Sequence, residues 1–422
     1  MKRRNFFRSI ALGGVGAALT PVAKAASSLA SEKMKPQTNV KQALAIPRNE
    51  YSMPGKYPGK VVKMNSAHGV VDGKPSEAVA YEMLKSGMLY LTGESDLKAA
   101  WLRFVGPEDV IGLKVNPIAG KLLSTSHAVT QSVIKQLEEA GIPRKNLIIW
   151  DRREVDLKES GFTEENYPGI RILGTEYQDE NGSYIDADGK YYGENRIDRS
   201  QYFRAAIVEE YDAYTMPYMI NSGEESYFSK ICTEMVTKII NIPVLKNAGV
   251  SITSCMKNLA FGSISNTSRL HKELWHETCA YACAFPPLRD KVVLNIVDAL
   301  KGCFEGGPEA NPQFICQYNA LLLGSDAVAV DSVGFDMVLA KRIEEGIQKQ
   351  EKPGSRRFLE LAEEIKLGIA DRSKVVFKGD CIYERFDTLL SLSLLSGSVM
   401  GTGVGTGKAG ACIYRFRVFM VS

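Results

Sequence analysis

From Lys60 onward, short apolar runs alternate with longer stretches in which apolar residues recur every three to four positions. Lys60 to Met64 (KVVKM) predicts a strand. Ser76 to Gly93 (SEAVAYEMLKSGMLYLTG) has apolar residues at helical spacing and stops at a glycine. Asp109 to Asn116 (DVIGLKVN) predicts a second strand. His127 to Gly141 predicts a helix, with Ser126 as its N-cap and Gly141 closing it. Asn146 to Asp151 (NLIIWD) predicts a third strand. Strand, helix, strand in this order implies a right-handed parallel crossover. The same texture returns in TKIINIPVLK, in GVSITSCMKNLAFG, and in a helical stretch near 266–284. It continues through a strand at 291–300 (KVVLNIVDAL), a strand–turn–long helix unit from Asn319 to Gly346, and a late strand at 373–379. The expected fold is α/β, a mainly parallel sheet flanked by helices.

Three stretches break this rhythm. Residues 170–200 carry two turn signals, Asn181-Gly182 and Asp188-Gly189, flanked by aromatics, which predicts a β-hairpin insertion. Residues 26–58 are rich in Ser, Lys, Pro and Asn without apolar period and read as a linker. Residues 387–422 hold many glycines and little periodicity, a tail apart from the α/β domain expected over 59–386.

Residues 1–25 are different in kind. Arg3-Arg4 precedes Phe6-Phe7, then a mild Gly/Ala-rich apolar run and Ala23-x-Ala25, the pattern of a twin-arginine signal peptide for folded export. The run from Leu12 to Val22 is far short of the roughly 20 apolar residues of a membrane span. The reading implies a periplasmic or otherwise exported protein, with the twin-arginine export machinery as a partner and no integral span after signal removal. This segment holds five basic residues and no acid. Setting it aside turns 52 Lys and Arg against 49 Asp and Glu into a slight acidic excess, so no basic patch argues for nucleic acid. The eight cysteines lack the dense spacing of a small disulfide scaffold.

The polar residues of interest share one kind of position, the ends of predicted strands. Lys114 and Asn116 end VIGLKVN, Asp151 ends LIIWD, Asn295 and Asp298 close VVLNIVD, and Asp326 follows ALLLGS. Ligands of open parallel sheets bind at the strands' carboxyl ends. Taken singly, Asp326 also fits a helix N-cap and Asp151 a turn; together they predict a shared pocket. Lys257 and Asn258 stand inside an apolar run, where a lysine is costly unless paired or facing a cleft. The expected catalytic set is Lys114, Asp151, Lys257 and Asp298. Asn116, Asn258 and His127 are expected to bind substrate.

The opening address implies something completed before export, such as a bound metal or cofactor. No cofactor is named by the sequence; a divalent metal is the candidate, with Asp326 and Asp331 as ligands beside Asp151 and Asp298. The alternative set is His276, Cys279 and Cys283, at i, i+3 and i+7 of one helix, with Cys255 or His271 as a fourth ligand. There is no C-x2-C-x2-C run, so the spacing does not support a ferredoxin-type iron–sulfur cluster. GTGVGTGK fails as a phosphate loop, because Thr402 replaces its first glycine and Ala409 its Ser/Thr.

Five blocks in order, PEDVIGLKVNP, HAVTQSVIKQLEEAGIPRKNLIIWDR, CMKNLAFGSISNTSRLH, LRDKVVLNIVDALKG and LLLGSDAVAVDSVGFDMV, resemble the uncharacterised "domain of unknown function" family 362 over roughly residues 60–385. The resemblance implies the α/β fold and an exported compartment. Members often carry twin-arginine signals or attached ferredoxin modules, and many are labelled iron–sulfur proteins; this chain lacks that cysteine run. The family has no established reaction. The expectation is a metal- or cofactor-dependent enzyme acting on a small anionic or polar substrate at the strand ends. Two alternatives stand beside it: a non-catalytic periplasmic solute- or metal-binding protein, and a redox protein using Cys279 and Cys283.

Overall fold

The computed structural model describes residues 35–207 and 223–381, so the expected signal peptide at 1–25 and the expected tail at 387–422 lie outside the described residues. Eleven strands form one sheet: β1 (Lys60–Asn65), β2 (Ile111–Val115), β3 (Leu147–Arg153), β4 (Arg171–Glu176), β5 (Lys238–Ile242), β6 (Val244–Asn247), β7 (Ile252–Thr253), β8 (Val292–Cys303), β9 (Ile315–Cys316), β10 (Ala320–Gly324) and β11 (Val376–Cys381). Eight of them run side by side in the order β11-β1-β10-β8-β5-β2-β3-β4, while β6 and β9 pair with β8 and β7 pairs with β6. Within that path β10 runs antiparallel to both β1 and β8, and the other neighbours are parallel. The fold is α/β with a mostly parallel sheet.

The residues explain the layers. Strands β2, β5 and β10 are buried at every position, as expected of strands covered on both faces. Helices α1 (Val40–Ala45), α2 (Glu77–Thr92), α3 (His127–Glu139), α4 (Cys255–Ser263), α5 (Ser268–Glu273), α6 (Trp275–Tyr281), α7 (Ala327–Glu344) and α8 (Arg357–Glu364) cover them. α3 starts where Ser126 accepts a hydrogen bond from the Val129 amide, and Gly141, at φ +98°, ends its trailing turn. On one face, Val79, Leu84, Val133 and Leu137 join Leu113, Val115, Ile240 and Ile242 in one apolar cluster. On the other, Leu259, Cys279 and Val330 join Ile148, Trp150 and Ile239. Each fully buried Leu or Ile contributes on the order of 1.5–3 kcal/mol, and this reserve lets the sheet carry a few costly buried charges.

Two segments differ from expectation. Residues 35–58 are not a free linker. Thr38 bridges Ala205, α1 forms, and the buried Arg289 guanidinium donates to Ala43 O, Ile46 O and Pro47 O at 3.0–3.1 Å. A buried arginine gathering carbonyls needs no apolar period, so the pattern did not reveal it. The excursion near 170–200 begins on the sheet, since β4 is its edge strand. Both expected turns form, with Gly182 and Gly189 at φ near +80°. Ile197–Arg204 then pairs antiparallel with Glu225–Ser229 in a separate small sheet.

Candidate functional site

Helix α4 lies across the carboxyl ends of β2 and β3, and its underside sets the geometry of the site. Lys114 points from β2 toward α4, because Leu113 and Val115, its neighbours in the alternation, face the opposite cluster. It is fully buried. Its Nζ pairs with the Asp151 carboxylate and also reaches Val115 O at 3.1 Å and Asn258 Oδ1 at 3.4 Å. Burial pulls the Lys114 ammonium below its ordinary pKa, and the Asp151 carboxylate opposes that pull. α4 can sit this close because residue 262 is glycine. A Cβ there would stand 2.5 Å from Lys114 Nζ and 3.1 Å from Asp151 Oδ1.

From this pair a chain of amides runs beneath α4. Lys246 Nζ donates to Asn116 Oδ1 at 2.9 Å, and Asn116 Nδ2 donates to Asn258 Oδ1 at 3.0 Å. Asn258 Nδ2 reaches Asn241 Oδ1 at 2.8 Å, Asn241 Nδ2 reaches Asn295 Oδ1 at 3.0 Å, and Asn295 ends on the carbonyls of Gly324 and Ser325. Each amide both donates and accepts, which fixes the orientation of every member.

The upper end of this network opens into a cleft of about 570 Å³. Its walls include Asn116, Asp151, Arg152, Asp156, Lys257, Asn258, Phe261 and His271. Lys257 is 6% exposed and makes one long hydrogen bond, to Thr253 Oγ1 at 3.4 Å. Among the described residues it has no carboxylate partner. Burial brings its ammonium down to about 8, with Cys279 opposing and Arg152 adding to the fall. Burial likewise brings Lys246 down to about 7, and Lys257 adds repulsion. Burial raises the Asp156 carboxyl, against the pull of Arg153. His271 is held down to about 3, chiefly by burial, and its ring lies 4.2 Å from that of Phe261, so it is a neutral wall. Arg152 donates to Thr267 Oγ1, and its Nε is ion-paired with the Glu176 carboxylate at 3.7 Å.

Of the expected set, Asp151, Lys257, Asn116 and Asn258 line the cleft, and Lys114 lies buried beneath it, paired with Asp151. Asp298 and His127 lie elsewhere. Along β8, Val297 and Ala299 face α4 while Ile296 and Leu300 face α2 and α3, so alternation sends Asp298 to the α3 side. There it accepts the Ser126 amide at 2.8 Å, on the wall of a second hollow of about 680 Å³. His127 shares that hollow and is tied to Tyr167 Oη at 2.6 Å and Ser160 O at 3.0 Å. Asp326 is at the other end of the sheet, because β10 runs against its neighbours and delivers its carboxyl end there. It caps α7 through Ala329 N at 2.9 Å and ties Gly59 N and Ile369 N. Asp331 accepts Cys255 N at 2.7 Å and Met256 N at 2.9 Å, supplying the cap for α4 that Ser254 does not make.

The four carboxylates therefore do not converge on a metal, and the His/Cys set does not form either. Helix α6 ends at Tyr281, before Cys283, and both cysteines are fully buried with thiols pushed up by burial. Such thiols are poor nucleophiles. Among the described residues no group of three or more His, Cys, Asp or Glu is placed to hold a metal ion. Sequence reasoning missed Lys246, Arg152 and the wall role of His271. Lys246 closes an apolar strand as Lys114 does, so the same criterion would have found it. Arg152 directly follows Asp151.

Residues 111–336 match the family model described as Domain of unknown function (DUF362). The chain belongs to the DUF362 family. The DUF362 match begins at the first residue of β2 and ends inside α7, so it contains every residue lining the cleft. A crystal structure of a Thermotoga maritima protein from the Northeast Structural Genomics Consortium is similar at 10% identity and a TM-score of 0.33. That similarity covers 63% of this chain and 59% of the other. No curated protein matches the chain. Among the described residues no helix is long and apolar enough to cross a membrane.

Proposed function

We propose that this DUF362 chain is an enzyme acting on a small anionic substrate in the cleft beneath α4, with the Lys257 amine at the reacting end. The observation that carries this reading is Lys257 itself: almost fully buried, without a carboxylate partner among the described residues, and on the cleft wall. An unpaired ammonium out of water costs several kcal/mol, more than any packing gain from its stem. An apolar residue would serve the fold better, so the amine is there for a ligand. Arg152, on the same wall and ion-paired through Nε with Glu176 at 3.7 Å, supplies a second cation, and the amides of Asn116 and Asn258 supply fixed dipoles. The Lys114–Asp151 pair is a positioning element that holds α4 and Asn258 in place.

The test is calorimetric titration of the protein with acetate, malonate, phosphate and sulfate. At least one anion binds, and Lys257→Met weakens it tenfold or more, about 1.4 kcal/mol. Absence of binding by all four, or equal binding by the variant, removes the reading. We propose also that the Arg3-Arg4 segment directs the folded protein to export. The support is the sequence pattern alone.

A further inference from the structure

Three buried lysines meet at this site, and their surroundings differ. Lys114 has the Asp151 carboxylate. Lys246 gives its hydrogens to Asn116 Oδ1 at 2.9 Å and Ile118 O at 2.6 Å. Lys257 has one hydroxyl at 3.4 Å and a ring centroid, that of Phe261, at 5.8 Å. It is thus the amine with hydrogen-bonding capacity left for a ligand, and it lines the cleft.

We infer that Lys257 is a nucleophile that forms a Schiff base with a carbonyl-bearing carboxylate, a small 2-oxo acid, with the carboxylate held by Arg152. The inference rests on the anionic-substrate reading and names the substrate's reacting group. The geometry fits it in three ways. The amine lies beyond bulk water, which favours the neutral, nucleophilic form. Arg152 stands on the same wall as a permanent cation and adds charge repulsion that favours the neutral amine of Lys257. Arg152 shares the cleft wall with Lys257, so one end of a short ligand meets a guanidinium while the other meets an amine.

The step balances without an oxidant or reductant. The Nζ lone pair forms a bond to the carbonyl carbon, and the C=O π pair moves to oxygen. One amine hydrogen passes to that oxygen, giving a carbinolamine. The C–O bond then breaks, the oxygen leaves as water with the second amine hydrogen, and nitrogen's lone pair closes the C=N bond. Asp156, on the same wall with its carboxyl raised by burial, is placed to shuttle these protons.

The experiment is reductive trapping. The purified protein is incubated with pyruvate or 2-oxoglutarate and sodium cyanoborohydride, then mapped by peptide mass spectrometry. The expected result is one secondary-amine adduct at Lys257, at least tenfold above any other lysine. It rises between pH 7 and 9 as the amine loses its proton, and malonate suppresses it. Lys257→Met and Lys257→Arg, each checked for a native unfolding transition, lose the adduct. Mapping of the wild type keeps the test decisive should a variant not fold. No adduct, or adducts spread over surface lysines, overturns the Schiff base. If acetate, malonate, phosphate or sulfate still binds in that case, the anion cleft survives while the nucleophile does not. If none binds either, both readings fall.

Discussion

At the scale of single residues, the site depends on what is missing at position 262. Alanine in place of a helical glycine ordinarily stabilises by roughly 0.5–1 kcal/mol. Here the added methyl group meets Lys114 Nζ at 2.5 Å and must force α4 away from the Lys114–Asp151 pair. Gly262→Ala is expected to destabilise the protein by about 1–3 kcal/mol in urea unfolding. Anion binding in the cleft falls with it. A variant as stable as the wild type would mean that α4 does not rest on the pair. Residues were also where the sequence was most legible. Lys257 in an apolar run raised the question that the structure answers: among the described residues it has no carboxylate partner, and it lines a cleft. Asp326, weighed alone, fitted a helix cap, and that is its place.

At the scale of elements, α4 is held from outside itself. Its first amides are satisfied by Asp331 of α7, so the helix bearing Lys257, Asn258 and Gly262 is anchored to a different helix. Burial raises the Asp331 carboxyl to about 6, with the α4 amides opposing. Between its unfolded value of about 4 and the folded value, the native state binds the extra proton, so stability falls as pH rises through that window. Asp331→Asn keeps one acceptor and leaves one α4 amide without a partner, a loss of about 1–3 kcal/mol near neutral pH. It also removes the proton linkage, so the wild type's advantage is largest near pH 4 and shrinks toward pH 7. Denaturant unfolding at both pH values checks this; an advantage that grows with pH contradicts the raised carboxyl. Strands and helices were legible from period and caps. Their direction was not, since nothing in ALLLG tells whether β10 runs with or against β8. That one reversal moved Asp326 away from the site, and simple alternation along β8 moved Asp298.

At the scale of the whole molecule, the sequence identified the α/β class, and the apparent linker proved to be tied down by Arg289. The proposed export route is a property of the entire chain, since it asks that the fold be complete before departure. Replacing Arg3-Arg4 with Lys-Lys is expected to leave unfolding behaviour unchanged while unprocessed protein accumulates in the cytoplasm. Cell fractionation reads the outcome, and normal processing of the variant rules the route out.

The position of β1 bears on how such a chain reaches its native state. Val62 pairs with Leu323 on one side and Lys378 on the other, so this early strand finds both neighbours only near the far end of the described chain. Closing so long a loop costs entropy that grows with the logarithm of its length, and nonlocal pairing slows folding. During synthesis, β1 therefore waits unpaired until residues 320–324 have emerged, and gains its second neighbour only beyond 376. An unpaired apolar strand is an aggregation hazard, and it calls for chaperone cover throughout translation. Truncation before β11 would leave that edge permanently open.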